Sequence, residues 1–210
     1  MSMDDLRVSD EDLTAKARIR NAALELFAEQ GADRVSMRAV AAAAGVTVGL
    51  VQHHFKTKEG LRNAVDQLIV DYHAQAIAQA PDEGSPAHIA AARDRSVRHM
   101  FETHPAVVNY VRRAMLDPAS DNGRLFARLT DLSRSEIVKA RESGLASTHR
   151  PESTQVIEIM VRQLGQLFLQ PMVDVIWDRL SGPNAPADDK PELTVSIRRP
   201  DRVAPGRSDD

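Results

Sequence analysis

The residues best suited to chemistry on a macromolecular ligand lie between Ser36 and Phe55, in the stretch SMRAVAAAAGVTVGLVQHHF. Thr47, Gln52 and His53 carry hydrogen-bonding groups, Val48 and Leu50 are apolar, and Gly49 permits close approach. With Val51 and Phe55 directed inward at i,i+4 spacing, these positions share the outward face of a short helix. Such a face is suited to a DNA major groove. Thr47, Val48, Gly49 and Leu50 would approach base edges and thymine methyls, while Gln52, His53, Ser36, Arg38 and Lys58 would mainly position the helix on phosphates.

Other candidate chemistry falls away on spacing. His99 and Glu102 share a helical face at i,i+3, but His104 stands five residues beyond His99 and adjoins Pro105, so the three fit no metal motif built on one helical face. His53 and His54 are adjacent, and adjacent helical residues point about 100° apart. The chain has no cysteine, hence no thiolate nucleophile and no disulfide framework. Neither a glycine-rich phosphate loop after a strand nor a Gly-x-Ser-x-Gly elbow occurs. No metal, no cofactor and no enzymatic activity are expected.

The elements that must position the outward face are legible in its punctuation. Ser36 can cap one short helix with Val40, Ala41 and Ala44 on its apolar side. Gly45 suits the left-handed residue that ends it, Val46 fills the corner, and Thr47 can cap the next helix. That is the grammar of a helix-turn-helix, although a plain helical hairpin in a bundle carries the same local pattern. Upstream, a longer helix from about Thr14 places Ile19, Ala22, Ala23, Leu26 and Phe27 on one face before Gly31. Downstream, Thr57 can cap a helix with Leu61, Val65, Leu68 and Tyr72 on one stripe, running to about Ala80.

Charge is segregated onto this segment. The 210 residues carry a formal net charge of −3. Thr14 to Arg62 holds eight basic residues against four acidic, which makes it +4 and the remainder −7. A cationic footprint on a helix-turn-helix suits a polyanionic partner. Met-Ser-Met-Asp-Asp has neither the basic nor the apolar region of a signal peptide, and no apolar run reaches the roughly 20 residues needed to span a bilayer. The expected compartment is the cytoplasm.

Over about Thr14 to Arg62 the chain resembles the N-terminal domain of the tetracycline-repressor (TetR) family of transcriptional regulators. The marks are Ile-x-x-Ala-Ala-x-x-Leu-Phe-x-x-x-Gly, then Ala-Gly-Val-Thr-x-Gly, then His-Phe-x-x-Lys-Glu-x-Leu. One position departs from the family pattern, because Gln52 stands where a tyrosine is usual. A phosphate contact there would pass to an amide or be lost. The resemblance implies a homodimeric repressor, released from an inverted-repeat DNA operator by a small-molecule effector. The alternative is a helical enzyme or scaffold that does not bind DNA.

The expected fold is all-α with about nine helices. Its divisions are a disordered arm (1–12), a helix-turn-helix domain (13–60), a helical ligand-binding and dimerisation domain (61–181) and a mostly disordered tail (182–210). Pro81 to Pro86 forms a turn, with Ser85 and Pro86 opening a helix that runs to about Thr103. His104-Pro105 restarts the chain as a short helix with Val107, Val108, Val111 and Met115, stopped by Asp117-Pro118. A further helix from about Asp121 carries Leu125, Leu129, Leu132 and Ile137, and Gly144 ends it. From Glu152 a wide apolar stripe runs through Pro171, which should kink the helix or start another.

The resemblance assigns that last stripe to pairing with a symmetry mate in a four-helix bundle. Met160, Leu164, Gly165, Leu167, Phe168, Met172 and Ile176 are the expected contacts, with Gly165 allowing close helix approach. It also implies an effector held between about Leu61 and Glu142. There Tyr72, Met100, Phe101, His104, Tyr110 and Met115 are the large or adaptable side chains, and Arg112 with its neighbour Arg113 suits an acidic ligand. The alternating segment Pro191 to Ile197 reads as a short extended piece.

Overall fold

A computed structural model describes residues 15–116, 123–181, 186, 189–191 and 193–197. The expected arm, the stop at Asp117-Pro118, the start at Asp121 and much of the tail lie outside the described residues. Eight α-helices occur among the described residues: α1 (Ala15–Gln30), α2 (Met37–Ala43), α3 (Val48–Phe55), α4 (Lys58–Gln79), α5 (Pro86–Thr103), α6 (Pro105–Leu116), α7 (Arg124–Glu142) and α8 (Glu152–Leu180). A 3-10 turn, Ala32–Arg34, follows α1. The fold is all-α.

The helix starts are set by hydroxyl caps. Ser36 accepts from the Ala39 amide at 3.1 Å, Thr47 from Leu50 at 3.2 Å, Thr57 from Gly60 at 3.0 Å and Ser85 from His88 at 3.3 Å. Each satisfies one amide that the first turn leaves without an intrahelical partner, typically worth about 1 kcal/mol. Where about nine helices are expected the difference falls at Pro171, because α8 continues through it as one helix. A proline removes one backbone donor, which a helix can accommodate by bending rather than ending.

The chain divides into two compact units, residues 1–156 and 157–210. In the first, α1 packs on α2, α4 and α6, and α4 packs on α5 and α7. Its core holds Ile19, Phe27, Val51, Leu61, Val65, Ile69, Met100, Val107, Val111 and Leu125. On α1 the core position falls to Leu24, while Leu26 is half-buried. Two expected apolar positions on α6 also differ, since Val108 is half-buried and Met115 is 41% exposed.

In the second unit, α8 beyond Val156 buries none of its side chains fully, and Leu169, Met172, Val175, Ile176 and Leu180 are exposed. Residues 193–197, with Lys190 and Pro191 before them, lie along this helix. The Gln170 amide accepts from the Leu193 N–H at 2.8 Å and donates to the Pro191 carbonyl at 3.4 Å, while Lys190 pairs with Asp174 at 3.0 Å. Hydrogen bonds from Gln170 and then Lys190 hold the Asp174 carboxyl below its usual range. A Cβ on Gly165 would lie 2.6 Å from a Val195 methyl. Gly165 therefore accommodates the chain's own Val195.

Candidate nucleic-acid interface

The α2–α3 corner is closed by paired backbone bonds. The Gly45 amide donates to the Ala42 carbonyl at 3.2 Å and the Val46 amide to Ala41 at 3.0 Å, with Gly45 at φ 65°. This is the Schellman arrangement, and its left-handed residue is least costly as glycine. The turn fixes the angle at which α3 leaves α2.

Burial then sorts the faces of α3. Val51 and Phe55 are buried against the domain core, and Val48 and Leu50 are half-buried. Thr47, Gly49, Gln52 and His53 are exposed, as are Ser36 and Arg38 at the start of α2. Thr47 and Ser36 each use one acceptor lone pair of the hydroxyl oxygen for a cap, leaving the O–H donor and a second lone pair to face outward. Lys58 is tied down, because its ammonium donates to the Asp33 carbonyl at 2.8 Å. An ammonium has three donors, so this bond fixes its charge near the start of α4.

Two features of the α3–α4 junction have no sequence signature. Lys56 adopts φ 63° and ψ −58°, and the Thr57 amide donates to the Phe55 carbonyl at 2.7 Å. That is the γ-turn whose central residue is rarely non-glycine. The turn sets the Phe55 carbonyl over Gly60, where a Cβ would lie 2.2 Å from its oxygen. Gly60 is thus a close-approach residue.

Arginines tie this domain to the helices that follow. Arg113 on α6 donates through Nε to the Ala28 carbonyl at 2.7 Å and through Nη2 to Glu29, at the negative end of α1. Arg124 pairs with Glu59, and Arg128 donates to the Asn63 carbonyl at 3.2 Å and to Gln67 Oε1 at 3.1 Å, so α7 grips the first turns of α4. Exposed-looking arginines acquire these partners only when distant helices meet.

The expected effector residues do not gather round one space. Tyr72 and His104 pack at a 45° tilt with ring centres 4.5 Å apart, beside a cavity of about 40 Å³, where His104 Nδ1–H donates to the Met100 carbonyl at 2.9 Å. Met100 and Phe101 are core residues, with Phe101 set edge-on to His73 at 5.0 Å. Burial, partly offset by a bond to the Ile69 carbonyl, pulls His73 down to about 4. Tyr110 donates to Asp66 at 2.6 Å, and burial together with that carboxylate pushes its phenol upward. Tyr110 and Arg113 also line a larger cleft of about 310 Å³. Arg112 is half-buried and Met115 exposed.

The geometry defines a helix-turn-helix protein with a helical second part, and comparison with known proteins agrees. Residues 19–65 match the bacterial regulatory proteins of the tetR family. Over 60 residues, 29% of the chain, it is 55% identical to the HTH-type transcriptional regulatory protein RaaS of Mycobacterium tuberculosis. Over 63 residues, 30% of the chain, it is 36% identical to the HTH-type transcriptional regulator UidR of Escherichia coli. These matches span only 28% and 31% of the two relatives' own lengths.

Solved structures resemble the chain over much more of its length. The fatty acid degradation regulator FadR from Bacillus halodurans aligns with a TM-score of 0.62 at 14% identity, over 80% of this chain and 89% of that one. A transcriptional regulator from Rhodococcus sp. Rha1 aligns at 0.60 and 21% identity, over 78% and 87%. Residues 19–65 thus match the domain that defines the tetR family of bacterial regulatory proteins, and the solved structures share the all-α fold. No helix among the described residues is long and apolar enough to cross a membrane.

Proposed function

We propose that this protein is a sequence-specific DNA-binding transcriptional regulator, a homodimeric repressor that leaves an inverted-repeat operator when a small molecule binds. One observation carries the reading. A rigidly capped α3 offers Thr47, Gly49, Gln52 and His53 to solvent while Val51 and Phe55 anchor it, within the segment of net charge +4. Half-buried Val48 and Leu50 supply apolar contact for thymine methyls, and Gln52, Arg38 and Lys58 meet phosphates. Few of these groups are bidentate base readers, so DNA shape contributes to discrimination.

Exposed apolar residues on α8 support the homodimer, since Leu169, Met172 and Ile176 lie on one side of the helix and are uncovered in the single chain. Two equivalent recognition helices then require two half-sites related by a dyad. The effector acts by linkage, binding the DNA-free form more tightly than the bound form. A gel-shift titration with the DNA upstream of its own gene, at several salt concentrations, tests the reading. Specific retention that weakens steeply with salt is expected, because phosphate neutralisation releases counterions. Equal retention of an unrelated duplex of the same length would overturn it.

A further inference from the structure

The cleft of about 310 Å³ lies at the junction of α1, the 3-10 turn, α4 and α6. Its lining combines three guanidinium groups, Arg34, Arg62 and Arg113, with a single carboxylate, Asp33. The remaining wall includes Phe27, Ala114 and Leu116, and Leu116 is 81% exposed. Tyr110 donates to the buried Asp66 carboxylate and lies near both that carboxylate and Arg62. Arg34 and Arg113 are exposed and belong to the rim. Arg113 Nη1 lies 3.9 Å from where a Cβ on Gly31 would be.

We propose that this cleft is a binding site for a small carboxylate carried on a short apolar body. The guanidinium fork matches the two oxygens of a carboxylate, and an ionised acceptor outcompetes a neutral one for the same donors. The apolar body covers Leu116, removing from water a side chain that the fold leaves uncovered. The volume stands at the lower end of the ~300–1,000 Å³ typical of ligand sites, which restricts the ligand to a compact molecule. This deepens the effector reading above and rests on it only for the consequence to DNA. A carboxylate at the rim competes with the Ala28 and Glu29 carbonyls for Arg113, and so loosens α6 from the end of α1.

Calorimetric titration of the full chain with octanoate, octanamide and inorganic phosphate at matched ionic strength tests the site. Octanoate should saturate one site per chain, and octanamide should bind at least tenfold more weakly. Arg34→Ala and Leu116→Ser should each weaken octanoate severalfold without moving the melting temperature of the free protein. No saturable octanoate binding, or an affinity untouched by both substitutions, would overturn the proposal. So would phosphate binding as tight as octanoate and indifferent to Leu116→Ser, which would make the cleft a plain anion site. Operator release is read separately in a gel shift. Octanoate binding that follows the substitutions but leaves DNA affinity unchanged upholds the site and removes its role as the effector switch. Failure of the free protein to bind DNA at all counts against the regulator reading, while the calorimetric titration still decides the site.

Discussion

Gly60 shows how far a single residue's meaning depends on its neighbours. Within an exposed helix, glycine to alanine normally gains roughly 0.5–1 kcal/mol. Here the Phe55 carbonyl stands 2.2 Å from where the new Cβ would go. Gly60→Ala should therefore reverse the usual sign and lose at least about 1 kcal/mol in chemical denaturation, whereas a gain would show that the γ-turn at Lys56 relaxes freely. His73 gives a second expectation. Its folded value of about 4 lies below the ordinary 6.5, so its contribution is full above pH 6.5 and is lost as pH falls through 4. Linkage bounds the loss at about 3 kcal/mol. His73→Leu should flatten the stability profile between pH 7 and 4, and a variant as acid-sensitive as the parent would move the cause elsewhere.

At the scale of elements, what the sequence disclosed was local. The caps at Ser36, Thr47, Thr57 and Ser85 and the corner at Gly45 each depend on residues within a few positions, and all are found where the pattern puts them. The faces of α3 follow from one i,i+4 pair. What stayed hidden needed distant segments to meet: the Arg113 clasp on α1, the Arg124 and Arg128 grip on α4, and the covering of Gly165 by Val195. At Pro171 two outcomes stood open, a kink or a new helix, and α8 runs through it as one helix because the flanking residues keep one apolar face. The strap on α8 yields its own prediction. Gly165→Leu or Gln170→Ala should detach it, raising amide exchange at Leu193 by tenfold or more, since that amide donates to Gln170. Unchanged protection at Leu193 in both variants would mean that the segment is held by something other than these contacts.

In the whole molecule, a cationic N-terminal domain with an outward α3 is joined to a long helix whose apolar side is uncovered in one chain. The proposed dimer would cover this side of α8, and a dyad-related pair of recognition helices would follow from it. Replacing Leu164 and Phe168 by glutamate should yield a monomer by light scattering at micromolar concentration, with operator affinity falling by more than a hundredfold because each half-site then binds alone. A variant that remains dimeric would place the interface elsewhere. The central claim, that α3 reads DNA sequence as part of a two-fold pair, is tested most directly by selecting from a random duplex pool with the purified full chain and sequencing what is retained. Enrichment of one inverted repeat is expected, with a changed half-site preference for Gln52→Ala. An unenriched pool, or an enriched sequence without dyad symmetry, would contradict it.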